Sequence, residues 1–113
     1  MVITTREIGG VVILDIEGDI TRSRPLYLHQ VVKTQLNQGK DRILLNYEKM
    51  GFIDSSGVGE LVSSHTSVNN LGGELRLARI SDKLRLILEI TGLINVFSVH
   101  DSVDAALAGF LRK

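Results

Sequence analysis

The sequence predicts a single α/β domain over residues 1–113, built on a mixed β-sheet of four to five strands with about four helices. Two observations carry this prediction. Strand-like runs alternate with helix-like runs along most of the chain, which is typical of parallel strands joined by helical crossovers. The first two strand-like runs are separated only by Gly9 and Gly10, which predicts an antiparallel hairpin at one edge of the sheet.

Periodicity and terminating residues assign the elements in order. The predicted strands are 2–8, 11–17 (ended by Gly18), 42–47 and 74–80, with a fifth short strand within 95–99. The first helix is expected to follow Ser23 and Pro25 and to end at Gly39. The second follows residue 56 and stops at 71–73; the third lies between Ser81 and Gly92, and the last starts at Asp101.

Composition excludes several classes of protein. The 13 basic and 13 acidic residues are intermixed and the net charge is zero, which argues against a nucleic-acid-binding protein. The chain has no cysteine, so disulfides, thiol catalysis and cysteine-based zinc sites are excluded. No apolar run approaches the roughly 20 residues of a membrane span, and the N-terminus lacks the apolar core of a signal peptide. We expect a soluble cytoplasmic domain without a metal or a cofactor.

The stretch FIDSSGVGEL, residues 52–61, places an acid and two hydroxyls between a predicted strand and a predicted helix. In α/β folds, sites lie at the carboxyl ends of the strands. Three interpretations compete for Asp54, Ser55 and Ser56: caps for the free amides of the helix, a catalytic nucleophile, or a serine phosphorylated by another enzyme.

Self-contained catalysis is the weakest of the three interpretations. His65 lies ten residues after Ser55, about 15 Å along a helix axis, and a nucleophile needs its base within hydrogen-bond reach. The pattern G-x-S-x-G of the nucleophile elbow is absent. Gly57 and Gly59 form a lone G-x-G without the lysine of a phosphate-binding loop, which is a weak signal for a nucleotide. We therefore do not expect an enzyme.

A phosphoserine at this junction would change binding more than folding. It would bring close to two negative charges and three acceptor oxygens to a helix N-terminus, where free amides and the helix dipole favour an anion. The outer surface would turn strongly anionic, and a partner docked on the hydroxyl and on apolar Phe52 or Val58 would then face a desolvation penalty.

The stretch F-I-D-S-S-G-V-G-E-L, the GGEL turn and strand and the later K-L-R-L-I-L-E-I-T-G-L together resemble the bacterial anti-sigma factor antagonists of the STAS domain family. The resemblance covers essentially the whole chain. It implies that Ser55 is the phospho-acceptor, that an anti-sigma factor serine kinase phosphorylates it and that a serine phosphatase reverses the reaction. By resemblance, the unphosphorylated protein sequesters the anti-sigma factor and so frees a sigma factor for transcription.

The expected partner-binding residues surround Ser55: Asp54, Ser56, Gly57, Phe52, Val58 and Thr21. Phe52 is interpreted equally well as an exposed docking residue or as a buried anchor of the loop. The chain departs from the family at Gly18-Asp19-Ile20-Thr21, where Asp19 is shifted and Thr21 occupies the place of the usual acid. The residues T-R-S-R-P that follow are more basic than expected, so the details of kinase docking are open.

Other functions within the same family remain open at this point. One is a subunit of a multi-protein stress-sensing complex, and another is a nucleotide- or small-ligand-binding STAS domain. The chain ends without an attached domain, which favours a free-standing regulator. His65 is expected at the rim of the core or within it. A solvated face or, alternatively, a basic docking strip is expected for Arg76, Arg79, Lys83 and Arg85. The edge of the first strand leaves weak pairing with a second copy open.

Overall fold

In the computed structural model, which describes residues 2–21 and 27–111, strands and helices alternate as predicted. The strands are β1 (Val2–Ile8), β2 (Val11–Ile20), β3 (Arg42–Ile53), β4 (Glu74–Ala78) and β5 (Ser98–His100). The helices are α1 (Leu28–Asn37), α2 (Ser55–Asn70), α3 (Asp82–Ile90) and α4 (Val103–Leu111), and a short 3-10 helix spans Leu93–Asn95. None of these helices is long and apolar enough to cross a membrane.

The strands form one mixed sheet in the order β1-β2-β3-β4-β5, which confirms the predicted fold class. β1 and β2 are antiparallel, and every later neighbour pairs in parallel. Gly9 and Gly10 connect the hairpin with φ angles of 58° and 80°, which a two-residue turn of the primed type requires and glycine adopts without strain.

The sheet buries both of its faces, unequally. Alternating residues of β2 point to opposite sides. Val12 and Leu14 belong to the large core under α1, α2 and α3, whereas Val11 and Ile13 belong to a smaller core under α4. α4 contributes Ala106 and Phe110, which is 1% exposed, to that smaller core.

Two predicted strand ends are wrong, and both lie beside the candidate site. β2 does not end at Gly18 but continues to Ile20, with register shifts against β3 between residues 15 and 17 and between 18 and 20. Gly18 has a φ of 96°, so it serves an irregularity within the strand rather than its end. β3 runs on to Ile53 instead of stopping at Tyr47, because the extended β2 offers it a partner beyond the end of β4.

Smaller differences occur at the other boundaries. β4 ends at Ala78 rather than at residue 80, since Arg79 takes a left-handed conformation with a φ of 59°. β5 begins at Ser98 because Leu93–Asn95 forms the 3-10 helix. α4 begins at Val103, with the Ser102 hydroxyl accepting from the amide of Ala105, so Asp101 does not start the helix. The predicted start of the first helix at Ser23 and Pro25 lies outside the described residues, and α1 is described from Leu28.

The predicted cap of the third helix is confirmed, because the Ser81 hydroxyl accepts a hydrogen bond from the amide of Leu84 at 3.1 Å.

The prediction that Arg76 lies on a solvated face is wrong. Its side chain is only 20% exposed and lies between β4 and α4. Its Nε donates to Glu74 Oε2 at 2.5 Å, and its guanidinium carbon lies 5.4 Å from the centre of the Phe110 ring. Arg76 thus ties α4 to the sheet through a cation–π contact.

Candidate functional site

The candidate site is the junction at which β3 passes into α2 through the single residue Asp54. Asp54 has an extended conformation, with φ −113° and ψ −172°, as expected of an N-cap residue. Its Oδ1 accepts the amides of Ser56 at 3.0 Å and Gly57 at 3.4 Å. The Asp54 amide donates to the carbonyl of Ile20 at 3.1 Å, which ties the junction to the end of β2. Asp54 therefore caps the helix and fixes the junction.

The two serines of the junction are both exposed but are not equivalent. The hydroxyl of Ser56 donates to Asp54 Oδ1 at 2.6 Å, so it takes part in the cap. Ser55 is the first residue of α2, and no hydrogen bond joins its hydroxyl to any of the described residues. Because Asp54 already serves as the cap, capping does not explain Ser55. Its hydroxyl lies at the positive end of the helix dipole and is open to solvent.

Gly57 and Val58 face the core rather than solvent. Val58 is 8% exposed and belongs to the large core, so its side chain is not offered to a partner in this conformation. A Cβ on Gly57 would lie 2.6 Å from Ile53 Cγ1 and 2.7 Å from Ile20 Cγ2. The absence of a side chain at residue 57 therefore allows α2 to approach the ends of β2 and β3. This close packing accounts for a glycine at residue 57, so no bound nucleotide is needed to explain it.

Phe52 is exposed, so of its two interpretations the buried anchor of the loop is wrong. It lies near the end of β3, 49% exposed, and its backbone amide donates to Asp19 Oδ1 at 2.8 Å. The Lys83 ammonium at the start of α3 lies 3.6 Å from the centre of its ring. Sequence reasoning missed the role of Lys83, because only the fold brings α3 to the end of β3.

Asp19 lies near the end of β2 and Thr21 directly follows that strand. These are the residues at which the sequence departs from the family that it resembles. The Asp19 carboxylate holds the amide of Phe52, and a Cβ on Gly51 would collide with that carboxylate. Asp19 is therefore a structural acid that fixes the end of β3. Thr21 is half-buried in an isolated bridge just after β2, and the basic residues that follow it lie outside the described residues.

The three histidines of the chain, His29, His65 and His100, each contact a residue outside the Ser55 junction. The ring of His65 packs edge-on against the ring of Phe97, and the two ring centres lie 4.8 Å apart. His65 is partly buried, as expected of a residue at the rim of the core, and this burial lowers its pKa. The contacts join His65 to Phe97, His29 Nε2 to Ser67 Oγ at 2.7 Å, and His100 Nε2 to Arg76 Nη1 at 3.1 Å.

Comparisons with known proteins agree with this fold. A family model described as the STAS domain matches residues 2–106. A Bordetella bronchiseptica protein named "Putative anti-sigma factor antagonist BtrV" is 26% identical over 110 residues, which are 97% of this chain and 95% of that protein. The anti-sigma F factor antagonist of Paenibacillus polymyxa is 24% identical over 103 residues, covering 87% of this chain and 85% of the relative.

Among solved structures, the anti-sigma factor antagonist SpoIIAA in its unphosphorylated form superposes with a TM-score of 0.75 at 18% identity, over 98% of each chain. The phosphorylated form of Bacillus SpoIIAA superposes with a TM-score of 0.73 at 20% identity, over 93% of this chain and 96% of that chain. These likenesses concern the fold. Two relatives are named as anti-sigma factor antagonists, and because the family model spans almost the whole sequence, the chain belongs to the STAS domain family.

Proposed function

We propose that the protein is an anti-sigma factor antagonist whose binding to its partner is switched off by phosphorylation of Ser55. The names of the relatives support the general role. The observation that carries the switch is the contrast between the two junction serines: Ser56 is bound to Asp54, whereas Ser55 is exposed at the first position of α2 with its hydroxyl uncommitted among the described residues.

A phosphate on Ser55 is compatible with the fold. The residue lies at the first position of α2, where the positive end of the helix dipole stabilises an anion. Asp54 keeps the amides of Ser56 and Gly57, so the phosphate adds charge outside the cap without replacing it. The phosphate and the Asp54 carboxylate then give this end of α2 a high negative charge density, while the core below it is unchanged.

The surface that a partner would bind is centred on Ser55 and bordered by exposed Phe52. The ring of Phe52 provides apolar contact area, and its exposure in the absence of a partner is the kind of feature from which binding hot spots are built. Asp54, Ser56 and Thr21 complete the polar rim. Gly57 and Val58 support this surface from within the core rather than contact the partner.

The partner that fits this proposal is an anti-sigma factor that is itself a serine kinase. Unphosphorylated Ser55 is then both a contact and the substrate of the bound kinase, so the reaction ends the complex. Dissociation follows because a dianion at a desolvated contact is costly unless the partner supplies matching cations. Removal of the phosphate by a serine phosphatase restores binding, and a sigma factor is released whenever the anti-sigma factor is sequestered.

Phosphosite mapping tests the acceptor. The protein and its Ser55→Ala and Ser56→Ala variants are incubated with ATP and a lysate of the source cells, and mass spectrometry locates the phosphate. We expect one phosphate on Ser55 in the wild type and in Ser56→Ala, and none in Ser55→Ala. A phosphate on Ser56 or Thr21 would move the site. No phosphate at all, with an active kinase as control, would refute the acceptor role.

Binding to the kinase found in that way tests the switch. Ser55→Asp places a single negative charge at the first position of α2, where an acid is compatible with the helix. We expect Ser55→Ala to retain the kinase and Ser55→Asp to lose it, while both variants unfold at the same urea concentration within error. Equal retention of the kinase by both variants would contradict the switch.

A further inference from the structure

The free edge of β1 is a self-complementary surface. The sheet order places β1 at one end, so no strand of the described residues pairs with its outer edge. β1 has seven residues in continuous register with β2, and it contains neither proline nor lysine nor a bulge, three of the usual protections of an edge strand. Its two charged residues, Arg6 and Glu7, are each paired with an opposite charge of their own chain. At the other end of the sheet, β5 is only three residues long.

The hairpin turn determines which backbone groups of β1 point outward. In a two-residue turn, the carbonyl of Ile8 and the amide of Val11 bond to each other. Residues alternate along an antiparallel strand, so every second residue from Ile8 bonds to β2. Ile3, Thr5 and Glu7 therefore present their amides and carbonyls along the free edge.

A two-fold axis that places Thr5 of one copy opposite Thr5 of a second copy pairs this edge with itself. It pairs every residue of β1 with one of a second copy, and all three outward-facing residues fall in hydrogen-bonded pairs. Across the axis, the opposed residues are Val2 and Ile8, Ile3 and Glu7, Thr4 and Arg6, and Thr5 and itself. No like charges are opposed, and threonine opposite threonine is a favourable cross-strand pair.

Side chains on both faces of the strand agree with this register. Val2 and Ile8, which are 55% and 45% exposed, would cover each other at both ends of the paired strands. Arg6 is already bound to Asp15 of β2, with Nε 2.7 Å from Oδ2, so its charge is balanced within its own chain. The register centred on Arg6 would oppose two arginines, and the register centred on Thr4 would leave Glu7 and Ile8 without a partner within β1.

We propose that the protein forms a homodimer in which β1 pairs antiparallel with β1 of a second copy about a two-fold axis through Thr5. The two five-stranded sheets then become one continuous sheet. Because the axis reverses the strand direction, the two Ser55 junctions lie at opposite ends of the dimer, and each remains accessible to its own partner. The dimer does not rest on the proposed phosphorylation switch.

Charge pairing at the axis tests both the dimer and its register. Thr5→Lys and Thr5→Glu each place like charges opposite each other across the axis, whereas a mixture of the two variants places opposite charges there. By sedimentation equilibrium, we expect each variant alone to dissociate at least about fivefold more readily than wild type, and the mixture to recover a dimer. Thr34→Lys and Thr34→Glu, which make the same charge changes on the exposed side of α1, should leave the dimer unchanged.

A second variant removes the hydrogen bonds at the axis. Thr5→Pro deletes an amide that points away from β2, so the hairpin should stay intact while the dissociation constant rises roughly tenfold or more. A wild-type protein that stays monomeric at millimolar concentration would overturn the proposal. A dimer that withstands Thr5→Pro in a chain that is still folded, or that mixing Thr5→Lys with Thr5→Glu does not restore, would also overturn it.

Discussion

The Lys83 ammonium lies 3.6 Å from the centre of the Phe52 ring, so that the start of α3 covers part of an aromatic side chain at the end of β3. The ring is nevertheless 49% exposed. The cation holds the ring beside the Ser55 junction, since a cation over an aromatic face at an exposed site contributes about 0.5–1 kcal/mol. Phe52 thus presents an ordered apolar surface beside the candidate phosphorylation site.

Phe52→Ala should weaken binding far more than it weakens the fold. We expect the affinity for the kinase partner to fall about tenfold or more, as for an aromatic hot spot, and the free energy of unfolding to fall by about 1 kcal/mol. Titration calorimetry and urea unfolding measure the two effects. Leu71→Ala is the matched control, because Leu71 is 64% exposed at the opposite end of α2. An equal loss of affinity in both variants would contradict the assignment.

Tyr47→Phe should leave the stability unchanged or raise it by about 1 kcal/mol. Tyr47 is 1% exposed, and its hydroxyl has no hydrogen-bond partner among the described residues. Burial raises the pKa of the phenol, so the hydroxyl stays protonated. Removing a buried polar group that lacks a partner relieves its desolvation cost. Urea unfolding measures the change; a loss of more than 1 kcal/mol would mean that the hydroxyl is satisfied in solution.

Local chemistry predicted several parts of the fold correctly. The turn at Gly9 and Gly10 and the cap at Ser81 depend on residues close in sequence, and both are confirmed. The end of β2 was predicted wrongly, because Gly18 indicates a turn when it is considered alone. In the fold it lies within the strand, where pairing with the long β3 compensates for the irregularity.

The sequence predicted the polar residues of the candidate site correctly, but it did not predict how the apolar residues beside them pack. The pattern around Ser55 predicted that Asp54 and the two serines lie at the start of a helix. In the structure Asp54 is the N-cap of α2. The burial of Val58 and the contact of Lys83 with Phe52 depend on how α2 and α3 pack against the sheet. That packing determines the distances between elements that are far apart in sequence, and the periodicity of a single element gives no information about these distances.

The stability should fall as the pH is lowered from about 7.5 through 6.5. Burial first, and then the adjacent Arg76, lower the pKa of His100, and burial also lowers the pKa of His65. Asp101 opposes the shift of His100. The unfolded chain takes up these protons near the ordinary histidine pKa of about 6.5, whereas the folded chain takes them up only at lower pH. The unfolded chain therefore binds more protons as the pH falls from about 7.5, and the stability falls with it.

His100→Gln isolates the share of that residue. His100 Nε2 lies 3.1 Å from Arg76 Nη1, so the neutral ring accepts from a guanidinium that would repel the protonated ring. We expect the variant to lose less stability than wild type between pH 7.5 and 5.5. Urea unfolding at several pH values provides the slopes, and His29→Gln is the control for a histidine outside this contact. A slope unchanged by His100→Gln would refute the assignment.

Gly57→Ala and Gly59→Ala should change the stability in opposite directions, although both lie in the same helix. The added Cβ at residue 57 would meet side chains of Ile53 and Ile20 at 2.6 and 2.7 Å, whereas at residue 59 nothing lies within 4 Å. Alanine gains about 1 kcal/mol over glycine in a helix interior. At residue 59 that gain should appear in full or in part, and at residue 57 overpacking of about 1–3 kcal/mol should outweigh it. Urea unfolding measures both variants, and a stabilised Gly57→Ala would mean that α2 can move away from the strand ends at little cost.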